Sequence, residues 1–428
     1  MPVMDGSGIN GRLTIGLLGL DPPMAGVASA AHDAGDVIAV GIDLPGDAPL
    51  PPSPGAPLRR AASWEQLLDE TCNAVLVAAV GWSDARAEAV RSLVQSGRTM
   101  LISQPPTLSM LWAYELDMIA ADSGARIIPA LPDRLHPFVA GLRTQVEEAV
   151  AGGHRLGPLE TITMERRTGD RSRETVLRHL ARDADLVRVL VGDPQRLATL
   201  GGTIDTAWPT LAVEFTGERQ VPVRWSIARG EPTTLTITLV HGGGSTTVTI
   251  PDGPDPWTWH DEPGGPARAA VPFDRNRVLL AHLHRMAGRP LDAAGPPVLP
   301  PAEWSDAARA IELAETVPRS LLKGRGIDLH QEEFSEIGTF KGTMASLGCG
   351  IVILALLVLV LAALVGGIAR EAGWAVGERI AGAWPVVVLV ALVLFLALQV
   401  LPLIVGNGPP AGGGPFPGPS SDDPPSRP

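Results

Sequence analysis

The residues that first suggest chemistry are Gly19, Asp21 and Asp43. The stretch Arg12 to Ala28 reads as a buried strand, a tight turn at Gly19 and the start of a helix. A strand feeding a glycine turn and then a helix is how a dinucleotide fold begins. The pyrophosphate rests on the helix N-terminus, where unpaired N–H groups and the helix dipole favour an anion. The G-x-G-x-x-G spacing is only partly filled: Gly19 takes the first place, Asp21 falls on the second and Met24 on the third, while Gly26 lies too late. A carboxylate at Asp21 opposes a pyrophosphate, and its Cβ opposes close approach. Val37–Asp43 reads as the second strand. Its terminal carboxylate stands where it accepts hydrogen bonds from a ribose 2′-OH and disfavours a 2′-phosphate; a strand-end Asp that caps a turn is the other reading.

The elements that position these residues alternate between strand and helix. Residues 44–57 are proline- and glycine-rich and read as a loop, and Ser63-Trp-Glu-Gln66 is a capping box that opens a helix to about Glu70. Strands are expected at Asn73–Ala79, Thr99–Ile102 and Arg126–Ala130, with helices at Ser83–Ser96 and Ser109–Ser123. Residues 1–130 thus read as a Rossmann-type, doubly wound parallel sheet. Beyond it the pattern changes. One amphipathic helix covers His136–Ala151, and strands of alternating character follow at Glu160–Arg166, Arg196–Gly201, Leu211–Thr216, Val221–Ala228, Thr234–Val240 and Thr246–Ile250. A helix at about Glu174–Val191 interrupts them. Residues 131–328 therefore read as an α/β domain on an open antiparallel sheet. Pro251–Pro266 reads as a loop, and helices near Asn276–Ala287 and Ala302–Thr316 return the chain.

After a linker at 329–343 the composition changes again. Gly342–Ala369 and Ile380–Asn407 carry no charge, and Ile351–Val365 is wholly aliphatic. Each run is long enough to cross a hydrocarbon layer of roughly 30 Å at ~1.5 Å per residue. The expectation is a transmembrane hairpin: helices at 344–369 and 384–405, a short loop at 370–383, and a disordered tail at 406–428. Ala362/Gly366 and Ala363/Gly367 are small residues four apart, which allow close helix contact. Residues 1–12 lack a basic start followed by an apolar core, so no cleavable signal peptide is expected and the globular part should stay in the cytoplasm. The lipid bilayer is then a partner and the protein a two-helix membrane protein.

Composition narrows the partners. The 428-residue chain has a formal net charge of −12, which argues against nucleic acid. Cys72 and Cys349 are the only cysteines and lie in different settings, which excludes a disulfide framework. No metal site is indicated. Lys323 and Lys341 are the only lysines.

The order of elements and three segments resemble the Gfo/Idh/MocA family, the glucose–fructose oxidoreductase and inositol dehydrogenase group. The segments are Ile127-Ile-Pro-Ala-Leu-Pro-Asp-Arg-Leu-His-Pro137, Gly157-Pro-Leu-Glu160 and Asp183-Ala-Asp-Leu-Val-Arg-Val-Leu-Val-Gly192, within a likeness that spans about 12–328. The resemblance implies a Rossmann domain paired with a sheet domain, NAD or NADP as cofactor, a sugar, cyclitol or related small molecule as substrate, and a homo-oligomer built through the sheet. It places Gly19, Asp21, Asp43 and Pro105 along the cofactor.

The chain departs from the family at the positions that move protons. Members carry Glu-Lys-Pro after the fifth strand, where this chain has Ser103-Gln104-Pro105, and no lysine precedes Lys323. Members carry a histidine at the start of a His-x-x-Asp segment, where this chain has Arg182 followed by Asp185. The Thr-Pro turn after the fourth strand becomes Ala79-Val80. A Gln amide does not titrate near neutral pH, and arginine, with a pKa above ~12, accepts no proton. A positioned acid–base group is worth ~10²–10⁴ in rate. His179, one turn before Arg182, is a candidate displaced base; a surface or core histidine is the plainer reading. Three functions follow: a divergent nucleotide-binding relative with weak or no dehydrogenase activity, an active NAD(P)-dependent oxidoreductase with a displaced base, or a structural module with a vestigial cleft.

Overall fold

The computed structural model describes residues 11–45, 58–68, 72–200, 207–217, 219–263, 268, 271–291 and 299–329, with isolated positions between 360 and 373. The chain parts into two compact units, 1–331 and 332–428.

The first sheet contains β1 (Thr14–Leu18), β2 (Val37–Ile42), β3 (Arg59–Arg60), β4 (Ala74–Val77), β5 (Thr99–Ser103) and β6 (Arg126–Ala130). Its order is β3-β2-β1-β4-β5-β6, and every pair is parallel. The order reverses between β1 and β4, and such a switch opens a crevice beyond the carboxyl ends of the strands. Both faces are covered, so the strands are near-continuous apolar runs. Ala74 and Leu76 of β4 face one side, packing with Ile15 and Leu17 and with Met24 and Val27 of α1 (Pro22–Asp33). Val75 and Val77 face the other, packing with Val90 and Leu93 of α2 (Asp84–Gln95) and Trp112 of α3 (Met110–Ser123). A 3-10 helix covers Trp64–Leu68 of the helix expected to run to about Glu70, and residues 69–71 lie outside the described residues.

The second sheet contains β7 (Leu159–Thr168), β8 (Pro194–Leu200), β9 (Ala212–Gly217), β10 (Pro222–Arg229), β11 (Thr234–His241), β12 (Gly244–Pro251), β13 (Thr258–Glu262) and β14 (Ile327–Asp328), in the order β13-β12-β11-β7-β10-β9-β8-β14. The sequence reading of an open antiparallel sheet needs correcting, because the sheet is mixed. Strand β7 inserts between β10 and β11 and runs parallel to β10. Strand β13 lies inside the segment read as a loop. Its Trp259 is buried and its His260 pairs with Thr247 of β12; the prolines on either side hid the alternation. Helices α4 (Pro137–Val150), α5 (Arg173–Val191) and α7 (Trp304–Lys323) pack on one face of this sheet. The other face is polar, with Thr163, Thr238 and Thr247 side by side in register.

Late helices return to the first sheet. Leu279, Leu280 and Leu283 of α6 (Arg275–Met286) join the core under β1. The buried Asp36 ties α6 in place: it accepts from Leu13 N at 2.8 Å and pairs with His284 Nε2 at 2.7 Å. Among the described residues, no helix is long and apolar enough to cross a membrane. The expected hairpin at 344–405 and the tail at 406–428 lie outside the described residues, apart from a few positions between 360 and 373.

Candidate functional site

A cleft of about 890 Å³ opens beyond the carboxyl ends of the first sheet, between it and the second. Its lining includes Gln104, Asp133, His136, Arg182, Asp252 and Trp257. Gln104 follows β5, and Asp133 lies in the 3-10 turn Pro132–Leu135 after β6. His136 is the N-cap of α4, Arg182 stands midway along α5, and Asp252 follows β12. Two positions singled out in the sequence, Gln104 and Arg182, are thus brought to one wall-to-wall space. Asp185 is not: it is buried beneath the cleft, 3.6 Å from Arg134, and burial pushes its carboxyl up to about 6. His179 does not line the cleft either. Burial, aided by Arg166 and Arg182, pushes it down to about 4, where it is a weak base.

Two of the cleft's carboxylates are paired with arginines. Asp133 accepts from Arg275 Nε at 2.6 Å, and Asp252 accepts from Arg166 Nη1 at 2.7 Å. Burial works to raise the Asp252 carboxyl, but Arg182 and Arg166 outweigh it and hold it below its ordinary value. Arg166 is itself buried and pairs with Asp183, which also accepts from Trp225 Nε1 at 2.8 Å. The first Asp of the Asp183-Ala-Asp185 segment is therefore a core anchor. Arg182 stands 3.8 Å from Asp133 and 3.6 Å from Asp252, beyond hydrogen-bond reach of both.

His136 is held rigidly. Its ring stacks on Trp257 with centroids 3.8 Å apart, and Phe138 and Phe273 meet it edge-on. Its Nδ1 accepts from the Phe138 backbone N–H at 3.0 Å, and burial pushes its pKa down to about 4. The neutral ring must then carry its proton on Nε2. That atom is buried with no hydrogen-bond partner, as is Gln104 Nε2.

The dinucleotide half of the crevice is differently furnished. Gly19 makes its turn at φ +74°, as a phosphate loop requires, but the Arg86 guanidinium lies over it, 2.8–3.0 Å from where a Cβ would stand. Arg86 donates to Ala78 O and Val80 O and pairs with Asp43, the carboxylate expected to hold a ribose. Asp21 turns inward. It accepts from Met24 N at 3.0 Å, Ser103 Oγ at 3.0 Å and Ala79 N at 2.8 Å. The first two residues of α1, Pro22 and Pro23, have no N–H, and the third is bonded to Asp21. Pro105 is buried and its carbonyl accepts from Arg178 Nη1 at 2.9 Å. NAD or NADP needs helix-end donors for its pyrophosphate, and these residues offer it none. The residues present do not fit the group.

Sequence reasoning missed Arg86, the Pro22-Pro23 pair and His136. The prolines were visible beside Gly19; Arg86 carried no signal, since only the fold brings it over that turn. Among the described residues, no group of three or more His, Cys, Asp or Glu could hold a metal ion.

No family model matches the chain, and no curated protein matches it in sequence. Solved structures do match in fold. A myo-inositol dehydrogenase from Corynebacterium glutamicum ATCC 13032 has a TM-score of 0.53 at 14% identity, covering 74% of this chain and 99% of that one. Levoglucosan dehydrogenase, solved with NADH, has a TM-score of 0.56 at 12% identity, covering 75% and 100%. GenD2 from gentamicin A biosynthesis, solved with NAD, has a TM-score of 0.53 at 18% identity, covering 77% and 100%. The chain has the fold of these dehydrogenases.

Proposed function

We propose that this chain is a ligand-binding relative of the Gfo/Idh/MocA dehydrogenases that holds a small polar molecule in the 890 Å³ cleft without transferring hydride. The observation that carries this reading is the head of α1, where two prolines and the inward carboxylate of Asp21 leave no free N–H among the first three helical residues for a pyrophosphate. The cleft points the same way. Gln104 and Arg182 stand where the family moves protons, and neither exchanges one near neutral pH. Asp252, held below its ordinary value by Arg182 and Arg166, is a poorer base than a free carboxylate. Fluorescence titration with NADH and NADPH tests the reading. Binding should be absent or weaker than about 1 mM, and micromolar affinity for either nucleotide overturns it.

We also propose that the two uncharged runs tether the protein to a bilayer. Their length and lack of charge support this reading. Full-length protein should stay with the membrane pellet in alkaline carbonate while residues 1–331 are released; release of both refutes the tether.

A further inference from the structure

We propose a second binding site in this chain: a pocket at the amino ends of β4, β5 and β6 that takes a phosphate group, free or on a small ester. It is separate from the cleft, which opens beyond the carboxyl ends of the same sheet.

Three neighbouring strands begin in step. Ala74 of β4 pairs with Thr99 of β5, and Thr99 pairs with Arg126 of β6. Asn73, Arg98 and Arg126 therefore start the strands side by side. Helix α2 stops just before Gly97, and α6 stops just before Ala287. Gly288, at φ +73°, then turns the chain and brings Arg289 to the same place. The pocket that these residues line has a volume of about 400 Å³.

The lining holds three guanidinium groups and no carboxylate. That runs against the chain as a whole, whose net charge is −12. The three arginines meet only main-chain carbonyls. Arg98 donates to Cys72 O at 2.8 Å and to Leu68 O, Arg126 to Met286 O at 2.9 Å, and Arg289 to Arg12 O. Among the described residues, none of the three makes an ion pair. The buried Asp36 is held by Leu13 N–H and His284, and pairs with none of them.

Charge decides what the pocket accepts. Carbonyls are neutral, and the two helix C-termini supply about half a negative charge each, which offsets about one of the three positive charges. Bracing a carbonyl uses one or two of the five N–H groups on each side chain. Positive charge and N–H donors are left over. Asn73 adds its amide nitrogen, since its Oδ1 is fixed by Thr14 N–H at 3.0 Å. A neutral ligand leaves the charge unbalanced, a cation adds to it, and a carboxylate balances about half. A phosphate monoester, with a charge of about −1.5 to −2 near neutral pH and oxygens that match the guanidinium fork, balances it. Arg126 is exposed and Arg98 and Arg289 are half-buried, so a ligand reaches them from solvent.

The test is calorimetric titration of the full-length protein with inorganic phosphate and with acetate, at pH 8 and low salt. Phosphate should bind with a Kd of about 1 mM or tighter, and at least about tenfold more tightly than acetate. Arg126→Gln and Arg289→Gln should each weaken phosphate binding about tenfold, as the loss of a hydrogen bond to a charged group implies. Arg126 sits exposed at a strand end, so its replacement leaves the core intact; should Arg289→Gln fail to fold, Arg126→Gln carries the test alone. Arg182→Gln, in the cleft, should leave phosphate affinity unchanged. Absence of phosphate binding overturns the assignment, as do equal affinity for acetate and unchanged affinity in folded Arg126→Gln protein. Loss of phosphate binding in Arg182→Gln places the ion in the cleft and overturns it too.

Discussion

Arg86, in the first turn of α2, forms an ion pair with Asp43 just past the end of β2, across the Gly19 turn. The guanidinium is only 4% exposed, whereas the carboxylate is 55% exposed. The two halves are therefore unequal in worth. Arg86→Leu strands the carbonyls of Ala78 and Val80 and should cost about 2 kcal/mol of stability. Asp43→Asn should cost less than about 1 kcal/mol, since solvent screens so exposed a partner. Urea denaturation of the two variants measures the difference, and equal losses would contradict this account of the pair.

Removing Arg86 alone should not restore nucleotide binding. The prolines still deny the pyrophosphate its amides, and Asp21 still claims Met24 N–H. Arg86→Ala combined with Asp21→Gly, Pro22→Ser and Pro23→Ala frees the turn and the helix end together. This quadruple variant should gain at least about tenfold in NADH affinity over Arg86→Ala. Tryptophan-sensitised NADH fluorescence reads the gain.

Asp21 joins three segments through one carboxylate, so its substitution should be felt as a loss of stability. Asp21→Ala removes the cap of α1 and the partners of Ser103 and Ala79, at about 2–3 kcal/mol. Asp21→Asn should recover little of this, because an amide nitrogen cannot accept from Ala79 N–H while its oxygen caps the helix. Thermal melts of the two variants within a degree or two of each other would fit; near-parental Asp21→Asn would not.

His136 makes the fold acid-sensitive in a defined window. Burial lowers its pKa from 6.5 to about 4, so between those values the unfolded chain binds a proton that the native ring refuses. Its stabilising contribution is complete above pH 6.5 and is lost as pH falls toward 4, a change of about 3 kcal/mol. His179 and His282, also lowered to about 4 by burial, act in the same direction. Asp185, raised to about 6 by burial, acts oppositely, since its native form holds a proton the unfolded chain releases. Comparing His136→Asn with the parent isolates the one ring. The gap in stability between them should narrow as pH drops from about 6.5 to about 4.

The alternation of elements, the Gly19 turn and the meeting of Gln104 with Arg182 were legible in the sequence. Local pattern encodes the first two, and the third was implied by the resemblance to the Gfo/Idh/MocA family. What stayed hidden depends on distant chain segments. Arg86 reads as one more polar residue of an amphipathic helix until β1 and β4 pair and bring it over Gly19. The role of Asp21 was half visible: its charge was read as an obstacle to phosphate, whereas its bonds to Ser103 and Ala79 appear only when β4 and β5 are in place. His136 gave no periodic signal, because a helix cap with its ring clamped by Trp257 is set by a residue beyond β12.

The paired prolines at the head of α1 carry a further consequence. A side chain in the way of a nucleotide can swing aside, and a mispaired charge can be rearranged by a partner or a change of salt. A hydrogen missing from the main chain returns under no condition of solvent, temperature or binding. On the ligand-binding reading proposed above, a pyrophosphate site at this helix end would require new codons at two adjacent positions, and loop flexibility cannot substitute for them.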